Sequence, residues 1–110
     1  MNRIVSHLWF DREAAEAARF YVGVFPDSRI TSESRMSGTP SGDVDLLSFE
    51  LAGSDFQAIS AGPYFKFTPA LSFLVACESA REVDRYWEAL HEGGSELMPL
   101  GAYPFSGHYA

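Results

Sequence analysis

Cysteine is almost missing from this chain. Cys77 stands alone, so neither an internal disulfide nor a cysteine-rich zinc site can form, and both absences suit a reducing compartment. Cys77 itself reads as a buried structural thiol rather than a nucleophile. Basic residues are scarce as well: 8 Lys and Arg face 15 Asp and Glu, a formal charge of −7. Such a chain repels phosphate backbones and offers no basic stripe for counterion release, which argues against nucleic acid as a partner. No apolar run approaches the roughly 20 residues that span a bilayer. The first ten residues also lack the long apolar region and small-residue cleavage site of a signal peptide. The expectation is a cytoplasmic protein with no membrane partner. Glycine, finally, is missing from "WFDRE" and "VACESARE", the two places where a strand should hand over to a helix. A Gly-rich turn cradling a nucleotide-type cofactor has no place there.

What the chain does have is apolar side chain: 46% hydrophobic and 15% aromatic residues, nine of them Phe. That is enough for a packed core, and a chain of 110 residues suits one compact domain, 1–110. Across 3–10, Ile4, Val5, Leu8, Trp9 and Phe10 are too dense for one helical stripe and read as a strand covered on both faces. At Asp11 the period changes. Asp11 is a good N-cap, Glu13 and Glu16 sit near the positive helix end, and Ala14, Ala17, Ala18, Tyr21, Val24 and Phe25 recur at helical spacing until Pro26. The spacing predicts a helix of about four turns.

Three extended stretches follow, near 29–36, 44–51 and 55–60, separated by "SGTPSGD" and "AGS", and they read as a meander. The segment 61–69, "AGPYFKFTP", is broken by Gly62, Pro63 and Pro69 and reads as a linker whose aromatics pin the crossing. Then "ALSFLVAC" restarts a strand, and Ser79 with Glu82 forms a capping box ahead of Val83, Trp87 and Leu90 on one helical face. Gly93 and Gly94 end that helix.

The two halves echo each other. The shift that brings Ser6 onto Ser72 also aligns Leu8 with Leu74, Ala14 with Ala80, Glu16 with Glu82 and Arg19 with Arg85. Strand then helix recurs in the same order, an internal repeat.

"HLWFDREAAEAARFYVGVFPDSRI", "FELAGSDFQAISAGPYFKFTPALSFLVACES" and "VDRYWEALHEGG" together resemble the PhnB-like branch of the vicinal oxygen chelate superfamily, the glyoxalase and bleomycin-resistance group. The resemblance covers nearly the whole chain. Relatives in this branch often carry the inherited name 3-demethylubiquinone-9 3-methyltransferase, a chemistry for which the glycine-free strand-to-helix junctions offer no cofactor cradle. The resemblance implies an α+β fold of paired βαβββ modules curling around a cavity: a first module over 1–60, a linker over 61–69 and a second module over 70–110. The second half has only 95–110 after its helix, against 27–60 in the first, so the second module reads as incomplete at the C-terminus.

The resemblance also implies, in many relatives, a divalent metal held by residues from equivalent strands. The repeat places Phe73 opposite His7, and Ala70, Leu71, Ser72 and Leu74 supply neither imidazole nor carboxylate nearby. At the position resembling the family's first carboxylate ligand stands Gln57, whose neutral amide suits a hard cation poorly. His91 falls in the second helix and His108 near the end, with no metal-type spacing to His7. The expectation is no metal and no cofactor.

Strand alternation groups His7 with Val5 and Trp9 against Ile4, Leu8 and Phe10. His7 then either faces a pocket or is a buried, hydrogen-bonded histidine, and the sequence leaves both open. A pocket would take Trp9, Phe49, Phe73 and Tyr103 as aromatic walls, with His7 and Gln57 as orienting polar groups. Each aromatic taken singly is better explained as ordinary core. No catalytic residue can be named. Glu50 is the nearest carboxylate for acid/base work, and an exposed strand carboxylate accounts for it as simply.

The function expected is metal-independent binding of a small apolar or aromatic molecule. One alternative is a metal-dependent glyoxalase-like or dioxygenase-like enzyme whose site is completed at a dimer interface, and another is a dimerisation module without a ligand. An incomplete second sheet would leave an open edge, so a homodimer is expected.

Overall fold

A computed structural model describes residues 3–40, 42–95 and 98–109. It divides into two compact units, Met1–Leu71 and Ser72–Ala110. The fold is α+β: among the described residues it has two helices, one four-stranded mixed sheet and a small hairpin. Among the described residues no helix is long and apolar enough to cross a membrane.

The first unit runs β1 (Ser6–Phe10), α1 (Ala14–Val24), β2 (Arg29–Thr39), β3 (Gly42–Leu51) and β4 (Ser54–Ser60). Its sheet has the order β1-β4-β3-β2. β1 lies parallel to β4, and the other neighbours are antiparallel. The three stretches expected to form a meander do so. Helix α1 covers one face, and small residues let it approach: Ala14 and Ala18, one turn apart, are fully buried against Leu47, Phe49 and Ala58. Leu8, Phe10, Val22, Ile30, Leu51 and Phe56 close the margin of this core.

The start of α1 corrects the expectation for Asp11. Glu13 occupies the N-cap position and makes no side-chain capping bond. The cap comes instead from the end of the sheet: the Ala14 N–H donates to Ser60 Oγ at 2.9 Å, and Ser60 is itself buried. A distant hydroxyl thus satisfies one of the orphan donors of the first turn. Asp11 contributes its carbonyl instead, accepting from the Gly62 N–H at 3.2 Å. At the other end, Pro26 holds Phe25 in an extended conformation, φ −97° and ψ 141°, and the helix stops. Between β3 and β4 the pair Leu51 and Ser54 is joined by Ala52 and Gly53, both at positive φ, 48° and 89°. This is the backbone of a type I′ hairpin turn.

The crossing after β4 is pinned as its aromatics suggested. Ala61 N–H donates to Phe10 O at 3.0 Å, and the Trp9 indole donates to Gly62 O at 2.9 Å. Phe65 meets Trp9 edge-on at 5.0 Å, and Phe67 meets Phe10 edge-on at 5.2 Å. Gly62 has φ 98°, and a Cβ there would lie 3.0 Å from the Tyr64 ring, so the turn needs glycine.

The second unit contains α2 (Ala80–His91) and a hairpin of β5 (Gly101–Tyr103) and β6 (Ser106–Tyr109). Ser79 caps α2 as read from the sequence, its Oγ accepting from the Glu82 N–H at 3.2 Å. Gly93, at φ 78°, follows the helix end. Tyr86 is buried and Trp87 only half-buried, because Trp87 turns to stack on His91 at 4.4 Å. His108, expected near a loose terminus, lies in β6 and meets Asp84 of α2 at 2.5 Å.

One expected strand is not there. Residues 70–77, "ALSFLVAC", belong to no strand among the described residues. A β-prone run becomes a strand only where a neighbour supplies the ladder, and high β-propensity alone cannot do so. The first half is therefore a βαβββ unit as expected. The described part of the second is a helix with a two-stranded hairpin.

Candidate functional site: the helix-free face of the sheet

The pleat decides which side chains share a face. Leu8, Phe56, Ala58, Leu47 and Phe49 lie on the side that α1 covers. The intervening residues form cross-strand rows on the other side. One row runs His7, Gln57, Ser48, Ser32. The next runs Trp9, Ile59, Leu46, Ser34, and the row on the other flank holds Asp55, Glu50 and Arg29. This face is therefore graded: apolar, then neutral polar, then charged.

The polar row is short of ionised groups. His7 is exposed, Gln57 and Ser48 are half-buried, and Gln57 Nε2 donates to Ser48 Oγ at 3.3 Å. The charged row is internally compensated: Arg29 lies 3.5 Å from Glu50, and Arg3 pairs with Asp55. Glu50 is thus engaged in a surface ion pair, which weakens it as an acid/base candidate. What the face offers a ligand is an indole and two aliphatic side chains beside an imidazole, an amide and a hydroxyl.

Of the six residues singled out for a pocket, three meet here: His7 and Gln57 as direct cross-strand neighbours, and Trp9 one row away. Phe49 is on the opposite side, 1% exposed in the helix-covered core. It stacks on Phe56 with centroids 5.5 Å apart. Phe73 and Tyr103 belong to the second unit. Phe73 is about half exposed at 51%, and Tyr103 donates from its hydroxyl to Pro99 O at 2.5 Å and stacks on Phe105. Three residues of the face went unread in the sequence: Leu46, Ser48 and Ile59. Their signal was the alternation in "VDLLSFEL", where Val44, Leu46, Ser48 and Glu50 oppose Asp45, Leu47, Phe49 and Leu51.

Neither cofactor that the family and superfamily suggest fits these residues. A divalent metal needs several converging ionised donors, and His7 has an amide and a hydroxyl for neighbours. Among the described residues no three His, Cys, Asp or Glu side chains gather at metal-binding distance. A nucleotide-type methyl donor wants free N–H groups at a helix start, yet the Ala14 N–H of α1 is taken by Ser60. Burial and then the neighbouring Glu82 push the Cys77 thiol up from the ordinary value, which disfavours the thiolate form.

A βαβββ sheet with one helix-covered face and one helix-free face makes this an α+β fold. The particular family is settled by comparison: the sequence profile of the 3-demethylubiquinone-9 3-methyltransferase family matches residues 2–104, and the chain belongs to that family. It is similar in structure to a PhnB protein from Bacillus cereus that carries the same family name. That likeness has a TM-score of 0.87 at 37% identity, covering 97% of this chain and 87% of the other. A protein from Staphylococcus aureus matches at 25% identity and a TM-score of 0.45, covering 100% of this chain and 86% of the other. No curated protein matches the chain at a significant level.

Proposed function

We propose that this family member binds a small, largely apolar or aromatic molecule on the helix-free face of its sheet, without a metal, in the manner of the vicinal oxygen chelate superfamily. The observation that carries the reading is the pair of adjacent rows, Trp9 with Ile59 and Leu46 beside His7 with Gln57 and Ser48. A flat apolar body would lie on the first row. A hydroxyl, carbonyl or amide on it would reach the second.

The test uses a panel of mono- and bicyclic aromatic fragments carrying one hydroxyl, carbonyl or amide. Trp87→Phe leaves Trp9 as the sole indole reporter. Binding fragments should quench its fluorescence and raise the unfolding temperature, and Trp9→Ala should weaken the best of them about tenfold or more, roughly 1.4 kcal/mol. Fragments that bind Trp9→Ala and His7→Ala as well as the parent chain would sink the assignment of this face. Elemental analysis addresses the other half of the proposal: near one equivalent of metal per chain, lost in His7→Ala, would overturn metal independence.

A further inference from the structure

The crossing that leaves β4 grips β1 from both sides. Trp9 and Phe10 are adjacent in β1 and so point to opposite faces of the sheet. Each meets one phenylalanine of the crossing, Trp9 with Phe65 and Phe10 with Phe67. Phe10 lies at the margin of the core under α1, so Phe67 closes the helix-covered side. Trp9 shares its row with Ile59 and Leu46, so Phe65 stands on the helix-free side, against that row and away from the core. All of these residues belong to the first unit.

The Trp9 and Phe65 rings stand at 88° with centroids 5.0 Å apart. Trp9 is held in its plane, because its Nε1–H donates to Gly62 O at 2.9 Å and the Gly62 N–H is tied back to Asp11 O at 3.2 Å. Two perpendicular rings of fixed plane make an inside corner. A flat ring seated there stacks on one wall and stands edge-on to the other, the two arrangements that ring quadrupoles favour. A saturated ring of the same size is thicker and has no quadrupole to match. With the indole N–H already spent, the corner itself offers a ligand no donor, and polar recognition falls to His7 and Gln57 one row along. Two residues of β1 separate Trp9 from His7, about 7 Å, roughly the length of a six-membered ring with one polar substituent. The ionised side chains on the far flank are paired with one another, which favours a neutral substituent.

We propose that Phe65 and Trp9 together form an aromatic corner that selects a neutral aromatic ring over its saturated counterpart, with the ligand's polar substituent directed toward His7 and Gln57. The proposal rests on the assignment of the helix-free face as a binding surface. To that face it adds a wall supplied from outside the sheet and a rule of selection. Phe65 is then a specificity-determining residue as well as a pin for the crossing, whereas Phe67 is a pin alone.

The test compares matched pairs, 2-naphthol with decahydro-2-naphthol and benzamide with cyclohexanecarboxamide, by nuclear magnetic resonance titration of the full chain. The aromatic member of each pair should bind about tenfold more tightly, the amount that two favourable ring contacts supply. Phe65→Leu keeps apolar bulk and removes the ring, and it should reduce that preference about threefold or more. Phe67→Leu, on the helix-covered side, should leave the preference unchanged. Bound 2-naphthol should also show nuclear Overhauser contacts to the Phe65 ring of the unmodified chain, a measurement that decides the matter if Phe65→Leu fails to fold. Equal affinities within each pair, an equal loss of preference in the two leucine variants, or ligand contacts to Trp9 without any to Phe65 would each overturn the corner and leave the binding face standing. Fragments that fail to bind, or that bind Trp9→Ala and His7→Ala as well as the parent chain, would overturn both.

Discussion

The two units of this chain start from similar material and arrive at different structures. Residues up to Leu71 make a four-stranded sheet with a helix on one face, and nearly every fully buried side chain is there: Ala14, Ala18, Val44, Leu47, Phe49, Ala58 and Ala61. From Ser72 on, Tyr86 is the sole hydrophobic residue among the described ones in the buried class. Yet "ALSFLVAC" is as apolar as anything in β3. The difference teaches that a β-prone run is an offer to pair, and that burial follows from the acceptance. β3 has neighbours on both sides and buries Leu47 and Phe49 against α1. The run after Pro69 joins no strand among the described residues, and Leu71 and Leu74 are 73% and 83% exposed.

The comparison breaks first at Phe49. It is among the largest fully buried side chains, so Phe49→Ala should cost about 3–5 kcal/mol through lost transfer energy and the cavity left behind. Phe105, 64% exposed in the small hairpin, should tolerate the same change within about 0.5 kcal/mol. Urea titrations followed by circular dichroism measure both. Equal losses would mean that the hairpin has a core of its own.

A smaller effect is expected where the first unit joins helix to sheet. Ser60 accepts the Ala14 N–H in a buried setting, and Ser60→Ala would leave that donor without an acceptor. The cost should be about 1–2 kcal/mol, with Asp11→Ala costing less. If Asp11→Ala proved the more damaging of the two, the helix start would be capped locally after all.

That contrast also marks how far the sequence could be read. Elements held together by neighbours in the chain were legible: the periodicity of α1, the turn at Ala52 and Gly53, the Ser79 cap, the meander of β2, β3 and β4. Half of the candidate face was legible as well, since alternation alone groups His7 with Trp9, and the phrase around Gln57 located its strand. Contacts between distant residues were not. Ser60 as the cap of α1 joins positions far apart in the chain, and no local pattern encodes it. Phe49 was misjudged as a wall because alternation groups it with Leu47 and Leu51 without saying whether that face meets a helix or a ligand, so the face that α1 covers can be told only once α1 is placed. Residues 70–77 show the same limit from the other side, because a strand is a relation between two segments and the sequence displays one of them.

The turn between β3 and β4 offers a change in the stabilising direction. Ala52 sits at φ 48°, a left-handed conformation costing an ordinary L-residue roughly 1–2 kcal/mol. Asparagine tolerates it, and Asn-Gly is the preferred pair for this turn. Ala52→Asn should therefore raise stability by about 0.5–1 kcal/mol, read as a higher urea midpoint. No gain would mean that the left-handed position at 52 costs alanine no more than asparagine in this turn.

The smallest expected effect concerns acid. Arg35 donates to Asp45 through Nε at 2.8 Å and through Nη2 at 3.4 Å, and that hydrogen bond holds the Asp45 carboxyl below its ordinary value. A carboxylate whose value is lower in the folded chain than in the unfolded one stabilises the fold above the unfolded value, near 3.9 for aspartate. That contribution disappears as pH falls through the folded value. Asp45 and Arg35 are 31% and 64% exposed, so solvent screening keeps the pair's contribution small. Asp45→Asn should accordingly lower the urea midpoint slightly at pH 6 and not at all at a pH below the folded value. At pH 6 the gap should also shrink in about 1 M salt, where the screening length falls to roughly 3 Å. A gap of the same size at both pH values would show that Asp45 acts through its shape and neutral hydrogen bonding, and that β2 is held to β3 without help from charge.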